Sequence, residues 1–465
     1  MKPTHQQEKM MSSVSTFSDA QRAQARKAGI AALVGTTLEW YDFLIYGTAA
    51  ALILNELFFP SVSAATGTLA AFATYAIGFL ARPLGGLVLG NLGDRVGRRA
   101  MLIFTIVLMG VATTLIGLLP TYASIGVWAP VLLIALRLLQ GFGAGGEYAG
   151  AVVMSVEHGN QSRRGAAGAW APMGFALATL LSTGVFQLMV LLPDDQFRAW
   201  GWRVPFLLGF VLLFVGYFIR RHIHETPAFE NAKELERQGA VQPVKTPVFA
   251  VLRENPRSFL VVIGARFAEN GFAYLFPVFA VAYAINEVGL TRQTTLLAVV
   301  VASAVQLVAI PVFAILSDRV GRRPVYALGA ALSLVWLVPF FLILETGNTL
   351  LVILAMAVGL GILYPAMLAP QAAYFAELFR TKTRLSGFAF AREIGSVLAG
   401  GFLPLVATAL LAWAGHWWAV VAYMSVLTSL TLVALAFGPE TRSTSLMETK
   451  QDPTVDEPAG SEFAT

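Results

Sequence analysis

Apolar residues in this chain gather into long unbroken runs, and those runs predict its architecture before any motif is consulted. Hydropathy averaged over about 19 residues rises at twelve places, near residues 28–54, 66–91, 100–119, 126–150, 166–192, 203–221, 258–285, 293–316, 324–344, 349–372, 385–412 and 416–437. Each reaches the roughly 17 to 25 residues that a helix needs to cross a bilayer. The longest polar stretch, His222 to Pro256, divides six spans from six. The pattern therefore predicts an all-α polytopic membrane protein, with twelve transmembrane helices in two pseudo-symmetric six-helix bundles. Its expected divisions are an N-terminal tail (1–27), a first bundle (28–221), a central loop (222–257), a second bundle (258–437) and a C-terminal tail (438–465). The last segment is expected to be disordered, because it is short, contains Pro453 and Pro458 and lacks heptads.

Of the 465 residues, 57% are hydrophobic and 13% charged, against about 25% charged in soluble globular proteins. A soluble enzyme is thereby excluded. Cysteine is absent, which removes disulfides, thiolate nucleophiles, iron–sulfur clusters and cysteine zinc sites together. Residues 1–26 have no apolar core before Ile30, so no cleaved targeting segment is expected. The net charge of +5 would suit nucleic acid, but its placement argues against such a partner. With a cytoplasmic N-terminus, 25 of the 32 Lys and Arg fall on the inner side. Arg198, Arg203 and Arg292 fall outside, and Arg82, Arg137, Arg266 and Arg392 lie within spans. This asymmetry predicts a multi-pass protein of the cytoplasmic membrane with both termini inside.

The loop after the second span reads Asp94-Arg95-Val96-Gly97-Arg98-Arg99, and the same six residues recur after the eighth as Asp318-Arg319-Val320-Gly321-Arg322-Arg323, 224 positions later. Glu157 and Arg164 after the fourth span match Glu377 and Arg384 after the tenth, both 220 positions on. The halves are thus expected to be duplicates of one topology. A lone basic loop would be explained by topology alone, but the acids recur with the bases, and acids contribute little to orientation.

The Asp94 and Asp318 loops resemble the signature of the major facilitator superfamily, and the similarity spans the whole chain. Leu38-Glu39-Trp40-Tyr41-Asp42-Phe43, Phe58-Phe59-Pro60, Gly67 to Thr74, Arg82-Pro83-Leu84-Gly85-Gly86, Arg137-Leu138-Leu139-Gln140-Gly141 and Glu225-Thr226-Pro227 are similar to the metabolite:proton symporter branch. Arg266 and Glu269 extend the likeness to its shikimate permease-like members, while Arg392-Glu393 departs from that pattern. The resemblance implies a rocker-switch transporter. In it Asp94, Arg95, Arg98, Glu157, Arg164, Asp318, Arg319, Arg322, Glu377 and Arg384 form a cytoplasmic gate, and Asp42 and Arg137 take part in proton coupling.

A charge at the bilayer centre costs at least about 2.5 to 3.5 kcal/mol on insertion scales, so each one retained there needs a partner or a task. Nine residues qualify: Glu39, Asp42, Arg82, Arg137, Glu147, Arg266, Glu269, Arg392 and Glu393. Glu39 and Asp42, three apart, are expected to share one helical face, where only one ionises cheaply. A carboxylate pairing with Arg137 would either couple protons to substrate affinity or lock spans 1 and 4. Arg266 and Glu269 either bridge within span 7 or bind substrate. Arg392 and Glu393 diverge by about 100° and are expected to need separate partners. Arg82 and Glu147 are read as structural charges nearer the cytoplasmic side. Tyr41 and Gln140 join Arg266, Glu269, Arg392 and Glu393 as candidate substrate contacts.

Other readings are weaker. Gly141 to Gly146 fits a dinucleotide fingerprint formally, but no strand precedes it, and close helix packing is the better account. Pro277, Pro365, Pro370 and Pro404 interrupt spans 7, 10 and 11, as hinges or as packing features. The five His lie in tails, loops or a span edge without metal spacing, so neither catalysis nor a metal site is expected. The expected activity is proton-coupled uptake of a small hydrophilic metabolite, an organic acid such as shikimate or a dicarboxylate, with an osmolyte such as proline or betaine as the alternative. No cofactor is needed, and one chain is expected to suffice.

Overall fold

The computed structural model describes residues 19–96, 98–145, 147–157, 163–221, 255–379 and 384–444. The first 18 residues, nearly all of the central loop and the chain beyond Thr444 lie outside them. Twelve long helices run through these residues. In the first half they are α1 (Asp19–Ala49), α2 (Ala64–Val96), α3 (Arg98–Leu118), α4 (Trp128–Gly143, continued by Glu147–Glu157), α5 (Arg164–Met189) and α6 (Val204–Arg221). In the second they are α7 (Pro256–Asn286), α8 (Arg292–Val320), α9 (Arg322–Glu345), α10 (Thr349–Glu377), α11 (Arg384–Ala414) and α12 (Trp418–Phe437). Among the described residues, α2, α4, α5 and α7 to α12 are long and apolar enough to cross a membrane by length and composition. In α1 the apolar run is broken by Glu39 and Asp42, both of which point inward.

The burial pattern is inverted relative to a soluble protein. Leu84, Trp128, Val308, Val335, Trp413 and Phe437 stand exposed on the outer surface, while Arg82, Arg137, Arg266 and Arg392 are buried. Such an exterior is stable only against lipid. The bundles meet along α5 with α8 and along α2 with α11, with α4 touching α10 and α11.

Small residues set the closest crossings. A methyl group at Gly141 of α4 would lie 1.9 Å from the carbonyl oxygen of Gly78 in α2, and one at Gly85 would lie 1.9 Å from that of Phe142. Only glycine lets these backbones approach so closely. Three of the prolines sit in or just after wide turns, while Pro370 lies inside a regular stretch of α10. Pro277 lies inside the π-helical turn Leu275–Phe279 of α7, Pro365 follows the turn Gly359–Leu363 in α10, and Pro404 follows Val397–Gly401 in α11. A ring without an N–H, crowding the preceding turn, is accommodated by such a local widening.

Candidate transport cavity and gates

A chain of charges crosses the seam between the bundles. Arg82 of α2 donates to Glu39 of α1 at 2.7 Å and, through Nε, to Glu393 of α11 at 2.8 Å. Arg392 donates to Glu393 at 2.6 Å. The expectation that Arg392 and Glu393 need separate partners is therefore corrected: the long Arg side chain reaches over the Cβ divergence, and Glu393 serves both arginines. Arg82 lies in the seam, paired with an acid from each bundle. Glu39 and Asp42, one turn apart, meet different partners: Glu39 is bonded to Arg82, while Asp42 lies beside Thr113 and Gly209. The guanidinium of Arg82 lies 4.8 Å from the Phe43 ring centroid, and that of Arg392 lies 3.9 Å from the Tyr148 ring, contacts that offset lost hydration.

Beside this chain lies a cavity lined by Trp40, Tyr148, Phe175, Arg266, Glu269, Asn270, Ala273, Tyr364, Leu368 and Arg392. It is small, with about 10 Å³ of room, enough for roughly one water molecule. Arg266 bridges to Glu269 one turn on and donates to Asn270 at 2.6 Å and Ser396 at 2.7 Å. Tyr364 donates to Glu269 at 3.0 Å. Among the described residues, Nε of Arg266 and of Arg392, the Tyr148 hydroxyl and the Trp40 indole N–H are buried without a hydrogen-bond partner. A buried donor left unmade costs about 1 to 3 kcal/mol, and these four donors are all of that kind.

Tyr41 and Gln140 do not line the cavity. Tyr41 turns to α6 and donates to the Pro205 carbonyl at 2.9 Å. Gln140 donates to the Asp42 carbonyl at 3.2 Å and to Thr113 at 2.7 Å inside the first bundle. Asp42 faces the same interior, beside Thr113 of α3 and Gly209 of α6. Arg137 bonds Gln140 and lies 4.1 Å from the Tyr46 ring. Among the described residues it has no ion pair within 4.0 Å, so the expected Asp42–Arg137 bridge is absent from this conformation. Both residues are buried, within the bundle and not on the cavity.

At the face that carries both termini, the duplicated residues exchange partners between halves. Arg384 donates to Glu157 at 2.6 Å, and Arg164 reaches Glu377 at 3.4 Å, so each pair joins one bundle to the other, as two-fold related patches do. Asp318 accepts from the backbone N–H groups of Gly165 and Ala166 at 2.8 and 2.9 Å, at the N-terminus of α5 where anions are favoured. Arg322 ties Asp318 (2.7 Å) to Glu377 (3.4 Å). Arg319 points outward and is exposed. The side chains of Asp94, Arg95, Arg98 and Glu147 lie outside the described residues. The first residues of the expected tail are held in place: Glu440 accepts from the N–H groups of Arg322 and Arg323, Thr441 donates to Glu377 at 2.6 Å, and Arg164 donates to the Thr444 carbonyl at 2.6 Å.

The opposite face has a clasp that the sequence did not single out. Arg292, at the start of α8, pairs with Asp194 at 2.7 Å and with Glu56 at 3.5 Å, and Arg198 bonds both acids. Glu56, Asp194 and Arg198 belong to the first half and Arg292 to the second. Hydrogen bonds from Arg198, and after them from Arg292, hold the Asp194 carboxyl below its ordinary range. A count of basic residues in loops could find Arg198 and Arg292 but not their acids, because only tertiary structure brings the tip of α1 to the α5–α6 connection. In this conformation the two halves are thus bridged at both faces.

Residues 27–246 match the family model described as sugar (and other) transporter, and residues 259–459 match that of the major facilitator superfamily. The chain is 39% identical to the shikimate transporter of Escherichia coli (strain K12) over 404 residues, covering 86% of this chain and 92% of that one. It is 34% identical to the proline/betaine transporter of the same strain, covering 89% of this chain and 84% of that one. A crystal structure of a D-xylose-proton symporter superposes with a TM-score of 0.67 at 17% identity, covering 89% of this chain and 98% of the other; this likeness shows the shared fold. From its helices, its seam and these matches together, the protein is a transporter, not an enzyme, and belongs to the major facilitator superfamily, on the branch that includes the shikimate and proline/betaine transporters.

Proposed function

We propose that the protein is a proton-coupled symporter of the cytoplasmic membrane, taking up a small organic anion by alternating access with both termini in the cytoplasm. The observation that carries this reading is the cavity between the bundles. Two arginines, Arg266 and Arg392, reach it with donors still unpartnered, and a guest carboxylate would complete them. Glu269, Asn270 and Tyr364 would orient the rest of the guest. The cavity as it stands is far below the roughly 300 Å³ at which ligand pockets begin, so binding requires one face to open, as rocking bundles allow.

Asp42 is the proposed proton carrier. It shares α1 with Glu39, which holds Arg82, and with Trp40, which lines the cavity. A change in its charge alters how α1 sits on the helices that carry Thr113 and Arg137. Asp42→Asn is expected to abolish accumulation of substrate driven by a pH step in reconstituted vesicles, at unchanged protein content. Undiminished accumulation would remove Asp42 from the coupling role.

A second reading has one observation in its favour. Trp40, Tyr148, Phe175 and Tyr364 surround the cavity beside Glu269, a setting that also suits a quaternary ammonium, and a proline/betaine transporter is among the relatives. Proton flux in vesicles, compared across shikimate, 2-oxoglutarate, citrate, aromatic acids and betaine, decides between them. Arg392→Ala is expected to weaken the acids selectively; an equal loss for betaine would count against the anion reading.

A further inference from the structure

We propose that Glu393 is a built-in stand-in for the anionic group of the substrate, and that an entering carboxylate displaces it from Arg392 as it takes up a proton. The inference rests on the anion reading of the cavity and assigns the residue that makes the cavity selective. Glu393 lies next to the cavity wall, and it is the group through which Arg392 is neutralised, at 2.6 Å. Its other oxygen holds Arg82 of the opposite bundle at 2.8 Å. Arg82 has a second carboxylate, Glu39, at 2.7 Å, so it stays paired when Glu393 lets go. Among the described residues Arg392 has no second ion pair within 4.0 Å; its Nε is buried without a hydrogen-bond partner, as is the hydroxyl of Tyr148, whose ring lies 3.9 Å from its guanidinium.

Charge balance makes the exchange specific. Glu393 faces Arg82 and Glu39 from the first bundle, Arg392 on its own helix, and Arg266 with Glu269 from α7. These are three cations and, with Glu393 itself, three anions. A guest carboxylate would leave this dry cluster one charge negative, which a low dielectric penalises heavily. A proton taken from the aqueous phase by Glu393 restores neutrality, frees Arg392 for the guest and removes the charge that ties α11 to Arg82. One event thus fills the cavity and loosens the seam. A guest without net charge leaves Glu393 in place and gains neither.

The test uses the purified full chain in detergent, with shikimate as probe. Binding is read by intrinsic tryptophan fluorescence and proton uptake by a pH indicator in weak buffer. Wild-type protein is expected to take up about one proton per shikimate bound, with affinity falling about tenfold per pH unit on the alkaline side, the slope of one linked proton. Glu393→Gln is expected to bind at least tenfold more tightly at pH 8, with that proton and that slope lost. Glu393→Asp should retain both. Wild-type binding without proton uptake would overturn the proposal, as would weaker binding by Glu393→Gln at an unchanged slope; either result would leave anion transport standing. Binding of betaine but of none of the acids would overturn this proposal and the anion reading together.

Discussion

Arg82 is the residue on which the seam depends, because it satisfies two buried carboxylates from different bundles, Glu39 and Glu393. Breaking a buried ion pair from the side that leaves charge unpaired costs about 3 to 5 kcal/mol. Arg82→Gln strands Glu39 and leaves Glu393 to Arg392 alone, whereas Glu39→Gln leaves Arg82 bonded to Glu393. Thermal unfolding in detergent is therefore expected to fall markedly for Arg82→Gln and only slightly for Glu39→Gln; equal losses would show that Glu393 does not compensate. The chemical types of this cluster were legible, since charges in apolar runs stand out in any sequence. Their pairing was not, because Arg82 and Glu393 lie 311 positions apart, and spacing along a helix says nothing about partners on another.

For the helices, close packing decides more than propensity. Gly141 and Gly150 both lie on α4, yet a methyl group at Gly141 would strike the Gly78 carbonyl while nothing lies within 4 Å of one at Gly150. Gly141→Ala is expected to destabilise the protein by at least the roughly 1 to 3 kcal/mol of an overpacked core, and Gly150→Ala to have almost no effect, as read by melting temperature and membrane yield. Similar losses in the two would contradict the α2–α4 crossing described above. The glycine-rich run announced close packing in the sequence itself. Which of its glycines meets a neighbouring backbone followed only from the rotation of α4 against α2.

In the whole molecule, the two clasps set the conformational balance. Glu157 and Arg384 join the bundles at the terminus-bearing face, and Glu157 is partly exposed, so each such contact is worth about 0 to 1 kcal/mol and opens reversibly. Glu157→Arg or Arg384→Glu alone is expected to lower transport, and the two together to restore it; failure of the double exchange would mean that the contact does not hold the gate. The opposite clasp should respond to salt more than to pH. Asp194 has a depressed folded pKa, so its contribution is present above the ordinary value of 3.8 and is lost only as pH falls through the lower one. Between pH 5 and 8 it stays ionised, while salt screens exposed charges over about 10 Å at 0.1 M. As the chain has no native cysteine, Ala273→Cys offers a single reporter in the cavity wall. Its labelling by an impermeant maleimide should rise with salt or with Arg292→Gln; labelling indifferent to both would show that this clasp does not control access to the cavity. Taken by itself, the sequence determined the helix count, the duplication and the kinds of charge in the interior, because bilayer thickness and the cost of burying charge act on local composition. The tertiary structure decided which acid meets which base, that Asp42 and Arg137 sit inside one bundle without pairing, and that the duplicated gate residues pair across the halves. Those outcomes depend on how helices rotate and cross, and that is settled by packing between segments far apart in the chain.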